Sequence, residues 1–287
     1  MGSAVSDFSG EIPRHYDRDL GPIIFSSYAA DMARRAVSGG TPSRVLEIAA
    51  GSGIATRAVC NALPADAHIT ATDLHGAMLD IARTKFRAGE NVVFQVADAM
   101  ALPFADVSFD TVICQFGVMF YPDKDKAYRE AHRVLMPGGH YLFSVWDAHR
   151  HNPYGRIVHE VTRGFFPVDP PVFFDLPFGY HFIDPIKEAL LAAGFGEITA
   201  SIVQQRQLVA DFSSFARGFI FGSPGFHQIR QRGEVTALEI QEAVAAAMRR
   251  EFGDEPSLIR MQAIVFDARR HRAEVQHPLC QRRHPLR

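Results

Sequence analysis

Tryptophan and cysteine are scarce in this chain, long apolar runs are missing, and neither sign of charge dominates. Its 287 residues hold one Trp, three Cys and 30 Lys plus Arg against 32 Asp plus Glu, for a formal charge of −2. Cys60, Cys114 and Cys280 are far apart, with no CxxC pair and no His/Cys cluster at ligand spacing. That argues against a disulfide scaffold or a metal site and points to a reducing compartment. No stretch of 18 apolar residues occurs, and the N-terminus lacks a basic region followed by an apolar one, so neither a membrane span nor a secretion signal is expected. A cytoplasmic protein follows from that reading. The balanced charge leaves no dense cationic stripe, which argues against a nucleic-acid partner. What is abundant is phenylalanine: 23 Phe stand beside 7 Tyr, an aromatic content almost without polar handles.

At 47% hydrophobic and 22% charged residues, the chain has the composition of an ordinary globular protein. From residue 41, short Val- and Ile-rich runs alternate with helical patterns, the signature of βα units on a parallel sheet. Strands are expected at Arg44–Ile48, His68–Thr72, Val92–Val96, Asp110–Cys114 and His140–Val145, with helices near 53–62, 76–88 and 123–135 between them. Pro137-Gly138-Gly139 reads as the stop of the third helix. Residues 1–40 read as a helical cover, 41–146 as an α/β core, and 147–183, dense in Pro, Phe and Tyr, as an aromatic lid. In 184–270 an αβ unit (Pro185–Ala193, Glu197–Val203) precedes a helical stretch from Asp211 to about Phe252 and a last strand at Leu258–Asp267. The tail 271–287, with four Arg and three His, reads as disordered. The expected fold is a Rossmann-like, open, mostly parallel seven-stranded sheet with helices on both faces and lid insertions.

Val45–Gly53 carries the first chemical signal. A buried strand ends in Ala49-Ala50-Gly51-Ser52-Gly53, a small-residue turn that lets backbone approach a ligand, and then opens a helix with unpaired N–H groups. The second strand ends in Asp73, 22 residues after Gly51, where nucleotide-binding folds present an acid to ribose hydroxyls. Asp98 ends the third strand on the same edge of the sheet, the edge at which open α/β sheets bind ligands.

Glu47, Asp73 and Asp98 at this spacing resemble the class I S-adenosylmethionine-dependent methyltransferases, and most closely the small-molecule branch that includes quinone-biosynthesis enzymes. Leu102-Pro103-Phe104, Ser108-Phe109-Asp110 and Ala131–Gly139 add to the likeness, which covers roughly residues 41–146. The resemblance implies S-adenosyl-L-methionine as cofactor. It would put Glu47 at the methionine ammonium, the backbone of Ala49, Ala50 and Gly51 along the cofactor, and Asp73 on both ribose hydroxyls. Leu74 and Met78 would pack on the adenine, Asp98 would take its amino hydrogens, and the Ala99 N–H would reach the ring. Gln115 would meet the methionine portion through its backbone, and Tyr16 would lie on a helix folded over the cofactor carboxylate. The pattern has Gly where this chain has Ala49, a methyl that is harmless if φ is negative there.

The acceptor is expected to be a small, apolar or aromatic metabolite methylated at oxygen or nitrogen, against a wall of Phe116, Phe120, Phe173 and Tyr180. A base is needed only if the acceptor must lose a proton, and His181 leads the candidates ahead of His227 and of Tyr154 or Tyr180. Three other readings stand beside this one: a C-methyltransferase of a quinone-like substrate, an NAD- or flavin-dependent oxidoreductase, and an S-adenosylmethionine-binding protein or cyclase that moves no methyl. Thr56 in place of a third glycine weighs against the oxidoreductase. A homodimer is compatible with an aromatic face.

Overall fold

The computed structural model describes residues 7–233 and 235–272. Its centre is one seven-stranded sheet in the order β3-β2-β1-β4-β5-β7-β6. The strands are β1 (Arg44–Ile48), β2 (His68–Asp73), β3 (Val92–Val96), β4 (Phe109–Gln115), β5 (Leu135–Trp146), β6 (Phe195–Val209) and β7 (Ser257–Arg270). β1 to β5 pair in parallel and β7 runs antiparallel between β5 and β6. In β1 only Arg44 is exposed. An almost continuous apolar run is what a parallel strand covered on both faces requires.

The covering helices are α2 (Ser26–Ser38), α3 (Ile54–Ala62), α4 (Gly76–Arg83), α5 (Lys124–Val134) and α7 (Ile183–Ala192). Gly53 stands before α3 at φ +79°, and a Cβ there would lie 2.8 Å from that of Ala82 on α4. Glycine therefore supplies both the left-handed turn and the close helix approach. Asp123 caps α5 by accepting the Lys126 N–H. At the other end the Arg270 guanidinium donates to the carbonyls of His132, Arg133 and Leu135, satisfying acceptors a helix terminus leaves open. Arg133 in turn reaches the Leu102 and Phe104 carbonyls, and Glu130 accepts the Leu102 N–H, which fixes the loop after β3.

Three departures from the sequence expectations matter. α5 ends at Val134, so Pro137-Gly138-Gly139 is not its stop signal: it lies inside β5, where the pairing with β4 shifts register between Phe109 and Thr111. The aromatic stretch after β5 is not irregular throughout but contains a full helix, α6 (Pro153–Phe165), ahead of the 3-10 segment Val172–Phe178. The long helical stretch is three helices, α8 (Phe212–Phe221), α9 (Gly225–Arg232) and α10 (Ala237–Phe252), the last opened by a Thr236/Glu239 capping box. Ahead of the sheet the short α1 (Ile12–His15) leads into a π-helical segment, Tyr16–Phe25, containing Pro22. The expected tail from 273 onward lies outside the described residues.

Candidate active site

The C-terminal ends of β1 and β4 meet at a small pocket of about 30 Å³ lined by Glu47, Ala49 to Ser52, Gln115, Tyr16 and Phe25. Its floor is backbone. Gly51 has φ +56° and Ala49 also has φ +56°, so the methyl at position 49 sits in the left-handed region and not at the harmless negative φ. The Ala49 methyl is accommodated because residue 117 is glycine: a Cβ there would stand 2.5 Å from it. The Asp73 carboxylate ties the turn together, one oxygen accepting the Gly51 N–H at 2.8 Å and the other the His75 N–H at 2.9 Å. Each oxygen keeps a lone pair for a further donor.

Glu47 is completely buried, and neither carboxylate oxygen has a hydrogen-bond partner. Burial, opposed by the neighbouring Thr56 hydroxyl and reinforced by the charge of Asp73, pushes its acid up to about 8. A buried, unpartnered carboxylate beside a glycine turn is matched to an incoming ammonium group, which would supply both charge and hydrogen bonds. Gln115 is similar: its Nε2 donates to the Phe25 carbonyl at 3.3 Å, while its Oε1 is buried without a donor. The residues expected at the adenine are not among those lining the pocket: Met78 is buried and Leu74 half exposed. Asp98 accepts the Met100 N–H at 2.8 Å, and Ala99 is buried beside it. These residues fit an S-adenosylmethionine molecule, with an ammonium end, a ribose and a flat base to hold.

Tyr16 and Phe25 stack with ring centroids 4.9 Å apart and form a shared wall between this pocket and a second, larger one. The larger chamber has a cavity volume of about 80 Å³. Phe116, at φ +56°, lies parallel to Trp146 with centroids 3.9 Å apart, and Phe120 lies parallel to Phe173 at 5.8 Å. Phe116, Phe120 and Phe173 line the chamber, as do Tyr154, Phe174 and Phe178 from the segment after β5. Phe219 of α8 closes one side. Its only signal in the sequence was membership of a Phe-rich stretch.

Two expected residues lie elsewhere. Tyr180 turns towards α5, its hydroxyl 3.0 Å from that of Tyr128, with the Lys124 ammonium 4.8 Å from its ring centre. His181 has its Nδ1 2.8 Å from the Phe178 carbonyl and lines an outer groove with Phe182, Gln204 and Gln262 instead of the chamber. The backbone turn between Phe178 and α7 sends it away from the aromatic wall, so it is not placed to act as a base. His227, on α9, is also not among the lining residues. Among the described residues, no group of His, Cys, Asp or Glu could hold a metal ion, and no helix is long and apolar enough to cross a membrane.

Comparison with known proteins agrees with this geometry. A family described as "Methyltransferase domain" matches residues 45–139. The ubiquinone/menaquinone biosynthesis C-methyltransferase of Brucella anthropi is 40% identical over 100 residues, 34% of this chain and 38% of that protein. The alignment thus spans about two fifths of the length of such curated relatives. Among solved structures, a Haemonchus contortus phosphoethanolamine N-methyltransferase in complex with S-adenosylhomocysteine superposes with a TM-score of 0.57 at 17% identity, covering 91% of this chain and 57% of that one. The [4+2]-cyclase SpnF superposes at 0.53 and 20% identity, covering 86% and 81%. Residues 45–139 thus match a methyltransferase domain on an open α/β sheet. Over that stretch the chain resembles the quinone-biosynthesis methyltransferases, and solved proteins of the same fold hold S-adenosylmethionine or S-adenosylhomocysteine.

Proposed function

We propose that this protein transfers a methyl group from S-adenosylmethionine to oxygen or nitrogen of a small, largely apolar or aromatic metabolite. The observation that carries the reading is the shared Tyr16–Phe25 wall: a small polar pocket with a buried carboxylate abuts an apolar chamber walled mostly by aromatic rings. Glu47 would hold the ammonium, Asp73 the ribose hydroxyls and Asp98 the adenine edge. When bound, the cofactor supplies an electrophilic methyl on a sulfonium. The chain's contribution is then positioning and water exclusion, which suits an in-line displacement. Leu20, Ile24 and Phe25 of the π-helical segment and Phe219 of α8 exclude water by closing the chamber.

Calorimetry with S-adenosylhomocysteine tests the cofactor half. Wild type should bind, and Asp73→Ala should bind on the order of 10- to 100-fold more weakly, since charge-assisted bonds contribute about 1.5–3 kcal/mol. Equal affinity would sink the assignment. Turnover of phenols, amines and quinols with methyl-labelled cofactor tests the acceptor half. Methylation at carbon of a quinone-like substrate is the second reading, favoured by the activity in the name of the Brucella relative. Carbon-13 NMR of the labelled product separates O-, N- and C-methyl. A cyclase-like reading predicts cofactor binding with no methyl transferred to any acceptor.

A further inference from the structure

Among the described residues lining the aromatic chamber there is no Asp, Glu, Lys, Arg, His or Cys. Its polar side chains are the hydroxyls of Tyr16, Tyr154 and Ser223 and the indole of Trp146. Ser223 spends its proton on the Phe219 carbonyl at 2.6 Å. Tyr154 is different. It is completely buried, and its hydroxyl has no hydrogen-bond partner. The Tyr28 hydroxyl donates to the Val203 carbonyl at 3.3 Å. Rings of Trp146, Phe178, Phe215 and Phe219 surround Tyr154 at centroid distances of 5.7–6.0 Å.

The backbone that carries this hydroxyl is held rigidly. Asn152, fully buried at the start of α6, donates from Nδ2 to the Asp147 and Gln262 carbonyls at 2.8 and 2.9 Å and accepts the Gln262 N–H at 2.9 Å. Gln262 closes the network by donating to the Asp147 carboxylate at 2.6 Å. A phenol fixed this firmly and left unpaired among rings costs stability that phenylalanine would not. Burial also pushes its ionisation well above that of free tyrosine, so it is a neutral donor and not a base.

We propose that the methyl acceptor is an uncharged ring compound and that Tyr154 positions it by donating a hydrogen bond to one of its oxygens. The inference rests on the chamber being the acceptor site. No lining group can neutralise a charged acceptor, which would enter a ring-lined space at high desolvation cost. Sites that hydrogen-bond a buried polar group reject analogues lacking it far better than sites that merely fit a shape.

Trp146 is the chain's one tryptophan and lines the chamber, so its emission reports occupancy. The test titrates the protein, with S-adenosylhomocysteine present, with four compounds of one skeleton: tetralin, 1-tetralone, 2-aminotetralin and tetralin-2-carboxylate. Wild type is expected to bind the ketone about tenfold more tightly than the hydrocarbon and to bind both charged compounds more weakly than the ketone. Tyr154→Phe should bring the ketone-to-hydrocarbon ratio to about one with tetralin affinity unchanged and the melting temperature unchanged or raised. A purely structural tyrosine would not move that ratio. Survival of the ratio in Tyr154→Phe, its absence in wild type, or tight binding of either charged compound overturns the proposal. If none of the four alters Trp146 emission, the reading of the chamber falls, and the proposal with it.

Discussion

The methyl group of Ala49 occupies the space that a side chain at residue 117 would need. Any Cβ at Gly117 would come within 2.5 Å of it and 2.8 Å of the Cys114 sulfur. Ala49 also has φ +56°, a region that disfavours every residue but glycine by about 1–2 kcal/mol. Gly117→Ala is therefore expected to destabilise the protein by about 1–3 kcal/mol, the usual cost of overpacking. Ala49→Gly removes the strain but loosens the unfolded chain, so it should change stability by no more than about 1 kcal/mol either way. In the double variant Gly117→Ala should cost less than in the wild-type background. Denaturant midpoints of the four proteins give the coupling, and strict additivity would mean the two positions do not meet.

Glu47 makes stability and cofactor affinity depend on pH in opposite senses. Its acid lies at about 8 in the folded protein against an ordinary value of 4.5. Between those values the native state holds a proton that the unfolded chain has released, so stability falls as pH rises from about 4.5 to 8 and then levels off. Glu47→Gln should abolish that component and be more stable at pH 8, by on the order of a few kcal/mol. An ammonium ligand wants the ionised form, so the affinity of S-adenosylhomocysteine should strengthen from pH 6 to 8 in wild type. In Glu47→Gln that contribution should vanish and binding should be weaker throughout. Calorimetry across pH measures it; an identical pH slope in the variant would remove Glu47 from the ligand contact.

Much of this was legible in the residues because the constraints are local. β1 and β3 fall at the expected residues, since apolar runs bounded by turns fix parallel strands. Glu47 is the penultimate residue of β1, Asp73 the last of β2 and Asp98 stands two residues past β3, so spacing alone brings them to one edge. Chamber residues behave differently. Phe173 and Tyr180 lie in the same aromatic stretch, yet one lines the chamber and the other bonds to Tyr128, a choice made by packing between distant segments. The positive φ of Ala49 was hidden for a related reason: an alanine in that pattern promises an ordinary backbone, and only Gly117, 68 positions away, makes the other conformation tolerable.

Asp19 anchors one wall of the chamber. Its nearly buried carboxylate receives both nitrogens of Arg217 at 2.9 Å and those of Arg18 at 2.8 and 2.9 Å, joining the π-helical segment to α8. Hydrogen bonds from Arg18, Arg217 and His15 outweigh the cost of burial and hold its acid far below the usual carboxylate range. The stabilisation is present above the unfolded carboxylate value, near 4, and is lost only as pH falls through the depressed native value. Arg217→Ala leaves Arg18 in place, so the expected loss is about 1–3 kcal/mol. Acid unfolding should also begin at a higher pH in the variant. Circular dichroism titrated from pH 7 to 2 checks both, and coincident curves would show that the contact holds nothing.

His181 should be dispensable for chemistry. Its ring stacks on Phe182 at 4.3 Å and its Nδ1 faces the Phe178 carbonyl, and it lines the outer groove and not the aromatic chamber. No proton can pass from an acceptor held against Trp146 and Phe116 to an imidazole in the outer groove without a relay. His181→Ala is therefore expected to keep kcat within about twofold of wild type on any acceptor found by the labelled-cofactor screen, and to lose at most about 1 kcal/mol of stability with the carbonyl contact. A kcat falling by the 10²–10⁴ that general-base removal costs, with fold and cofactor affinity intact, would return this histidine to the mechanism and require the segment 178–183 to swing inward during turnover.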